Sequence, residues 1–266
     1  MQFASVNGGV KHYLDQGPRN APCLVFINSL GTDFRIWNDL AQPLTQHYRV
    51  IRHDKRGHGL SQLPTGPASI ADFATDLSTL LDRLEVKQAT IVGLSIGGLI
   101  AQELLRLRPD LVRSLVLADT AHRIGTEDSW NARTGLVEAK GIEAIADGVI
   151  ALWFSKDYHR TSRDALTGWR TMLTRTPVEG YLVACRAIRD ADLTEAARRI
   201  AVPTLCVVGD EDGSTPVAPV RELASMIPAA KFEVISGAGH LPCIERPDAL
   251  RALIESHAAE VWNDCV

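Results

Sequence analysis

Residues 89–97 read Ala-Thr-Ile-Val-Gly-Leu-Ser-Ile-Gly, an apolar run leading into a serine with glycine two positions away on either side. A serine hydroxyl attacks carbonyl carbon only when it is presented on a sharp turn and a base can take its proton. Glycine at both flanks suits that turn, because it has no Cβ to clash and tolerates strained backbone angles. Downstream, Ile96 to Arg108 reads as a helix that stops at Pro109. A buried strand, a glycine-flanked serine and a helix together predict a nucleophile elbow with Ser95 as the nucleophile.

Such a serine needs a base, and the base needs an acid to orient it. Of the eight histidines, His240 ends the loop Gly237-Ala238-Gly239-His240 just after the strand expected at Lys231 to Ile235, which places its imidazole at the edge where Ser95 is presented. His12, His47 and His257 fall on strands or helices away from that edge and are expected to be solvated. His53 and His58 flank Asp54-Lys55-Arg56-Gly57-His58-Gly59, a turn that braces the cleft, and His122 is placed where it could line the pocket. Three carboxylates compete for the orienting role within Gly209-Asp210-Glu211-Asp212-Gly213. Asp212 lies deepest in that loop and can curl back beneath His240, whereas Asp210 is placed to close a turn on backbone amides. Asp119, after the preceding strand, is a rival. The order Ser95, Asp212, His240 is the one an α/β-hydrolase sheet requires. For the oxyanion, the Ile96 N–H follows the nucleophile and opens a helix. A second N–H is expected from Asn28-Ser29-Leu30-Gly31, with Leu30 preferred and Ser29 next.

The elements that must position these groups alternate along the chain. Strands are expected at Phe3 to Val6, Val10 to Asp15, Cys23 to Ile27, Tyr48 to His53, Ala89 to Val92, Val112 to Ala118, Thr204 to Val208 and Lys231 to Ile235. Ile70, Phe73, Leu77, Leu80, Leu81 and Leu84 mark one helical face behind Ser69 as N-cap. Further helices are expected over Asp33 to Gln46, Pro216 to Ile227 and Pro247 to Trp262. This alternation predicts an α/β fold, a mostly parallel eight-stranded sheet with helices on both faces. The stretch 122–193 has no convincing strand, so it reads as a helical cap inserted into a core of 1–121 and 194–266, roofing the edge where ligands bind in open sheets.

Composition sets outer bounds. The chain has 266 residues, 45% of them hydrophobic, and a formal charge of −4 with no concentrated run of Lys or Arg, so nucleic acid is not an expected partner. No apolar run suits a bilayer span, and the first residues lack the pattern of a signal peptide. The expectation is a soluble cytoplasmic protein with reduced, buried thiols at Cys23 and Cys206, and no metal spacing among its five cysteines.

With the elbow, Asn28-Ser29-Leu30-Gly31-Thr32-Asp33, Asp54-Lys55-Arg56-Gly57-His58-Gly59-Leu60-Ser61 and Gly237-Ala238-Gly239-His240 in view, the chain resembles an α/β-hydrolase over nearly its full length. Asn28-Ser29 stands where many members carry His-Gly. That departure, with Thr120-Ala121-His122-Arg123-Ile124-Gly125 leading to Trp130, is similar to the 3-oxoadipate enol-lactonases of aromatic-compound degradation by the β-ketoadipate route. The resemblance implies opening of a small lactone that bears a carboxylate, through an acyl-enzyme and without metal or organic cofactor. A cation in the cap is then expected to hold the carboxylate. Arg133, one of eight arginines between Arg123 and Arg189, is the candidate, with Trp130 and Trp153 as pocket walls. A general carboxylesterase, a cofactor-free perhydrolase and a ligand receptor of the same fold remain as alternatives.

Overall fold

The computed structural model describes residues 1–63 and 65–263; Cys265 lies outside them. Eight strands form one sheet: β1 (Gln2–Val6), β2 (Gly9–Gln16), β3 (Cys23–Ile27), β4 (Arg49–His53), β5 (Ala89–Leu94), β6 (Val112–Ala118), β7 (Thr204–Gly209) and β8 (Lys231–Ile235). Their spatial order is β1-β2-β4-β3-β5-β6-β7-β8. β1 and β2 pair antiparallel, as do β2 and β4, and every later pairing is parallel. β3, β5 and β7 are buried at every position. Continuous apolar runs of that kind are what a strand covered by helices on both faces must carry.

Helices cover both faces: α1 (Asn38–Leu44), α2 (Ile70–Arg83), α3 (Ile96–Leu107), then α4 (Glu127–Lys140), α5 (Glu143–Trp153), α6 (Lys156–Thr161), α7 (Arg163–Thr174) and α8 (Val178–Arg189) between β6 and β7. α9 (Thr194–Ala197), α10 (Val217–Met226), α11 (Pro242–Glu245) and α12 (Pro247–Asn263) complete the set. Ser69 caps α2 through a reciprocal bond with Asp72, and Ile70, Phe73, Leu77, Leu80 and Leu81 turn inward as their spacing requires. Replacing such a cap with alanine costs about 1 kcal/mol. The single helix expected over Asp33 to Gln46 is instead a 3-10 turn, Phe34–Trp37, followed by the short α1. Asp33 captures the Arg35 amide at 3.0 Å, which tightens the first turn, and Pro43 lacks the N–H that would carry α1 further.

Two histidines expected in solvent are buried, His12 and His257. His12 stacks between Phe3 and Phe34 and bonds Asp54 at 2.7 Å, while His257 sits on the inward side of α12, where burial lowers its pKa. His47 is exposed. No helix of the described residues is long and apolar enough to cross a membrane.

Sheet register sets the location of the chemistry. Ile27 at the end of β3 lies opposite Gly93 near the end of β5, and Leu94 lies opposite Ala118 at the end of β6. The chain winds outward in both directions from the β3/β5 boundary, so the loops after these strands open a crevice at that point. The loop 28–33, the turn at Ser95 and the residues after β6 therefore share one rim.

Candidate active site

At the end of β5 the chain reverses into α3 within a single residue. Ser95 has φ 59° and ψ −122°, a region that side chains avoid, at a strain of about 1–3 kcal/mol. Neighbouring bonds hold it there: its N–H donates to Ala118 O at 3.0 Å, and its carbonyl accepts from Gly98 N at 2.8 Å and Thr120 Oγ1 at 2.7 Å. The flanking glycines prove to be a matter of space. A Cβ on Gly93 would stand 2.3 Å from Gly97 O, and one on Gly97 would stand 2.2 Å from Ile27 O.

His240 is delivered by the glycine loop after β8. Its Nδ1 lies 2.8 Å from Asp212 Oδ2, both groups buried. Asp212 Oδ1 accepts the backbone N–H groups of Ser214 and Thr215 at 2.7 and 2.9 Å, so the carboxylate is fixed on both oxygens. Asp210 closes a turn, accepting from Gly237 N and Ser236 Oγ. Asp119 also reaches the cluster, since carboxylate oxygens of Asp119 and Asp212 and a ring nitrogen of His240 lie within 4.8 Å of one another. Its Oδ1 accepts Gly209 N–H at 2.9 Å and its Oδ2 has no hydrogen-bond partner among the described residues. Burial, and then the charge of Asp212, push the Asp119 carboxyl well above the usual range. Of the two rivals, Asp212 is the one hydrogen-bonded to the imidazole.

His240 Nε2 makes its hydrogen bond with Ser29 Oγ, at a long 3.4 Å, and Ser95 Oγ has no bonded partner among the described residues. Ser95, Ser29, Leu30 and His240 line one cavity of about 150 Å3, with Trp130 and Arg133 of α4, Trp153 of α5 and Tyr181 of α8 on its other walls. Serine and imidazole thus face shared space that a substrate would fill, and such bonds commonly tighten only on binding. His122 is not among the lining residues. A larger cavity, about 850 Å3, lies between the 3-10 turn and α7 and contains neither Ser95 nor His240.

Both expected oxyanion amides are free. The Gly31 N–H is consumed by His58 Nε2 at 3.1 Å and Thr32 N–H turns back to Ser29 O, whereas Leu30 N–H and Ile96 N–H have no acceptor among the described residues. His58 is fully buried, and burial pulls its pKa well down, which keeps Nε2 an acceptor while Nδ1 faces Arg56 O at 3.2 Å. The turn at 54–59 does brace the cleft.

Arg133 spreads its guanidinium 4.9 Å from the centre of the Trp130 ring and has no carboxylate partner among the described residues. Among the described residues it is the one Lys or Arg lining the cavity that holds Ser95 and His240, and no Asp or Glu lines that cavity. Trp130 is fixed by its own Nε1 donating to Ile124 O at 2.7 Å. The Trp153 carbonyl accepts the His240 N–H at 2.8 Å.

Sequence reasoning passed over two supports. Glu245 accepts from Gly239 N at 2.7 Å and from the Ser155 N–H and hydroxyl, tying the histidine loop to the start of α6. Lys55 is buried inside the loop 28–32. A buried lysine within a turn motif leaves no periodic signal, and Glu245 could have been flagged only by its place one turn after His240.

The model of the alpha/beta hydrolase family matches residues 24–253. A 3-oxoadipate enol-lactonase 2 of Acinetobacter baylyi is 34% identical over 92% of this chain and 91% of its own. A 3-oxoadipate enol-lactonase 1 from the same organism is 36% identical over 87% and 86%. The crystal structure of the enol-lactonase from Burkholderia xenovorans superposes with a TM-score of 0.93 at 38% identity, covering 96% of this chain and 99% of that one. With the strained serine turn, the parallel sheet and these likenesses together, the chain belongs to the alpha/beta hydrolase family and is a hydrolytic enzyme.

Proposed function

We propose that this enzyme opens a small lactone bearing a carboxylate, 3-oxoadipate enol-lactone by analogy with the relatives, to give 3-oxoadipate in aromatic-compound degradation. The observation that carries the reading is the catalytic cavity itself. It is small, Trp130, Trp153 and Tyr181 stand among its walls, and a single guanidinium with no carboxylate partner among the described residues faces it. A volume of about 150 Å3 lies below that of most drug-sized pockets and suits a ring with one short side chain. Arg133 supplies a planar fork for the carboxylate, and Trp130 and Trp153 wall the ring.

In this reading His240, oriented by Asp212, takes the Ser95 proton as Ser95 Oγ attacks the lactone carbonyl. Leu30 and Ile96 N–H groups receive the charge that develops on oxygen. The ring C–O bond breaks to an enolate, which departs more readily than a simple alkoxide, takes the proton held by His240 and stays tethered to the acyl-enzyme as an enol. His240 then activates water, the ester is cleaved, and the released enol ketonises. Residues 122–193 act as the cap over a core of 1–121 and 194–266.

The test is hydrolysis of the enol-lactone followed by loss of ultraviolet absorbance, with Ser95→Ala as control. Rapid turnover abolished by that substitution is expected. Turnover of simple neutral esters with no preference for the lactone would reject the substrate, and an active Ser95→Ala would reject the nucleophile.

A further inference from the structure

The Ser29 carbonyl and the Leu30 N–H belong to one peptide group, as do the Ser95 carbonyl and the Ile96 N–H. No cis peptide occurs among the described residues, and in a trans peptide the C=O and N–H point in opposite directions. Whatever grips the carbonyl therefore aims the amide. Lys55 Nζ donates to Ser29 O at 2.5 Å, and Thr120 Oγ1 donates to Ser95 O at 2.7 Å. Both side chains are almost wholly buried, at 2% and 0% exposure.

We propose that Lys55 and Thr120 are positioning residues for the oxyanion hole, each gripping and polarising the peptide whose N–H stabilises the developing charge. This rests on the serine mechanism proposed above. A hydrogen bond to a carbonyl withdraws electron density through the peptide and makes its N–H a stronger donor. Lys55 does so with an amino group that is otherwise spent on the same loop, at 3.4 Å from Asn28 O and 3.5 Å from Thr32 O, and burial pulls its pKa down to about 7. No carboxylate lies within ion-pair distance of it among the described residues. A buried lysine head group bonded only to carbonyls is a poor device for stability alone. Here it lies behind the peptide that faces the reacting oxygen.

The probe is phenyl acetate, a neutral ester that does not depend on the natural substrate. Thr120→Val keeps the shape beside Gly98 and removes the donor, Thr120→Ser restores it, and Lys55→Met removes the amino group. Loss of a whole oxyanion donor lowers turnover about 100- to 1000-fold, so weakening one that remains should lower kcat by about 10-fold. KM should stay within about threefold of the parent, because the lost interaction strengthens only in the transition state. The inhibition constant of a trifluoromethyl ketone, which forms a tetrahedral adduct on serine, should weaken in step with kcat, and Thr120→Ser should recover both. Should Lys55→Met fail to fold, the two Thr120 variants decide. A folded Thr120→Val with kcat and ketone inhibition within about twofold of the parent overturns the proposal, as does equal weakening of the ketone and of a non-reactive amide analogue. Ser95→Ala separates the two levels: if it is inert while Thr120→Val is unimpaired, the serine mechanism stands and only this inference falls.

Discussion

Arg133→Ala is the substitution whose effect should depend most on the substrate. The guanidinium is half-buried, lies against Trp130 and has no carboxylate partner among the described residues, so on the proposed reading it is available to a ligand. Without it, a substrate carboxylate would face Trp130, Trp153 and Tyr181 with no counter-charge. Truncating one member of a desolvated charge pair costs about 2–5 kcal/mol. Water reaches one side of Arg133, which argues for the lower end, about 2 kcal/mol or about 30-fold in kcat/KM. A neutral ester has no charge to lose, and its kcat/KM should change by less than about threefold. Arg133→Lys keeps the charge but not the planar fork, so it should fall between the two. The assay is kcat/KM for the enol-lactone and for phenyl acetate with each variant, read as a ratio. Equal loss on both substrates, or no loss on either, would show that the guanidinium serves the helix and not the ligand.

The two carboxylates beside His240 should respond in opposite ways. Asp212→Asn removes the acceptor of the Nδ1 proton and should lower kcat about 10000-fold, whereas Asp119→Asn should leave kcat within about tenfold, because a group kept neutral is well mimicked by an amide. Stability should follow the same logic, since the fold favours protonated Asp119. That contribution is complete below the ordinary carboxylate range and drains away as pH rises through the folded value, so Asp119→Asn should melt higher than the parent at neutral and alkaline pH. The gap should close toward about pH 4 in a series of thermal melts. Gly97→Ala forces a Cβ to 2.2 Å from the Ile27 carbonyl; overpacking of this kind costs about 1–3 kcal/mol, and both the melting midpoint and kcat should drop, an unchanged pair being the refuting result.

Much of the scaffold could be read from the chain because it rests on local signals. The apolar runs within 23–27 and 204–208 read as strands covered on both faces, and the Ser69 cap marks the start of α2 to the residue. The elbow could be read because an apolar run, a glycine-flanked serine and a helix follow one another in the chain; Gly93 answers to the nearby Gly97 carbonyl, although Gly97 answers to Ile27 on β3. What resisted was long-range. His12 lies on β2, between β1 and β4, and nothing nearby in the sequence says that Phe34 and Asp54 will close over it. His257 looks like any polar position on a terminal helix until α12 packs inward. The choice between Asp212 and Asp119 turned on which carboxylate lies opposite Nδ1, a fact of tertiary geometry. Lys55 escaped for the same reason, since its partners are carbonyls that carry no sequence signature.

The imidazole and the walls around the ligand are not separate pieces. The backbone of His240 hangs from the carbonyl of Trp153, and Glu245 binds Gly239 with one oxygen and Ser155 with the other. Whatever reshapes the end of α5 to admit a different molecule must also shift the proton acceptor. On the proposed mechanism, selectivity and speed are thus mechanically linked traits. Transplanting the helical stretch from a relative would carry a new recognition surface in and, by the same bonds, retune the base it hangs over.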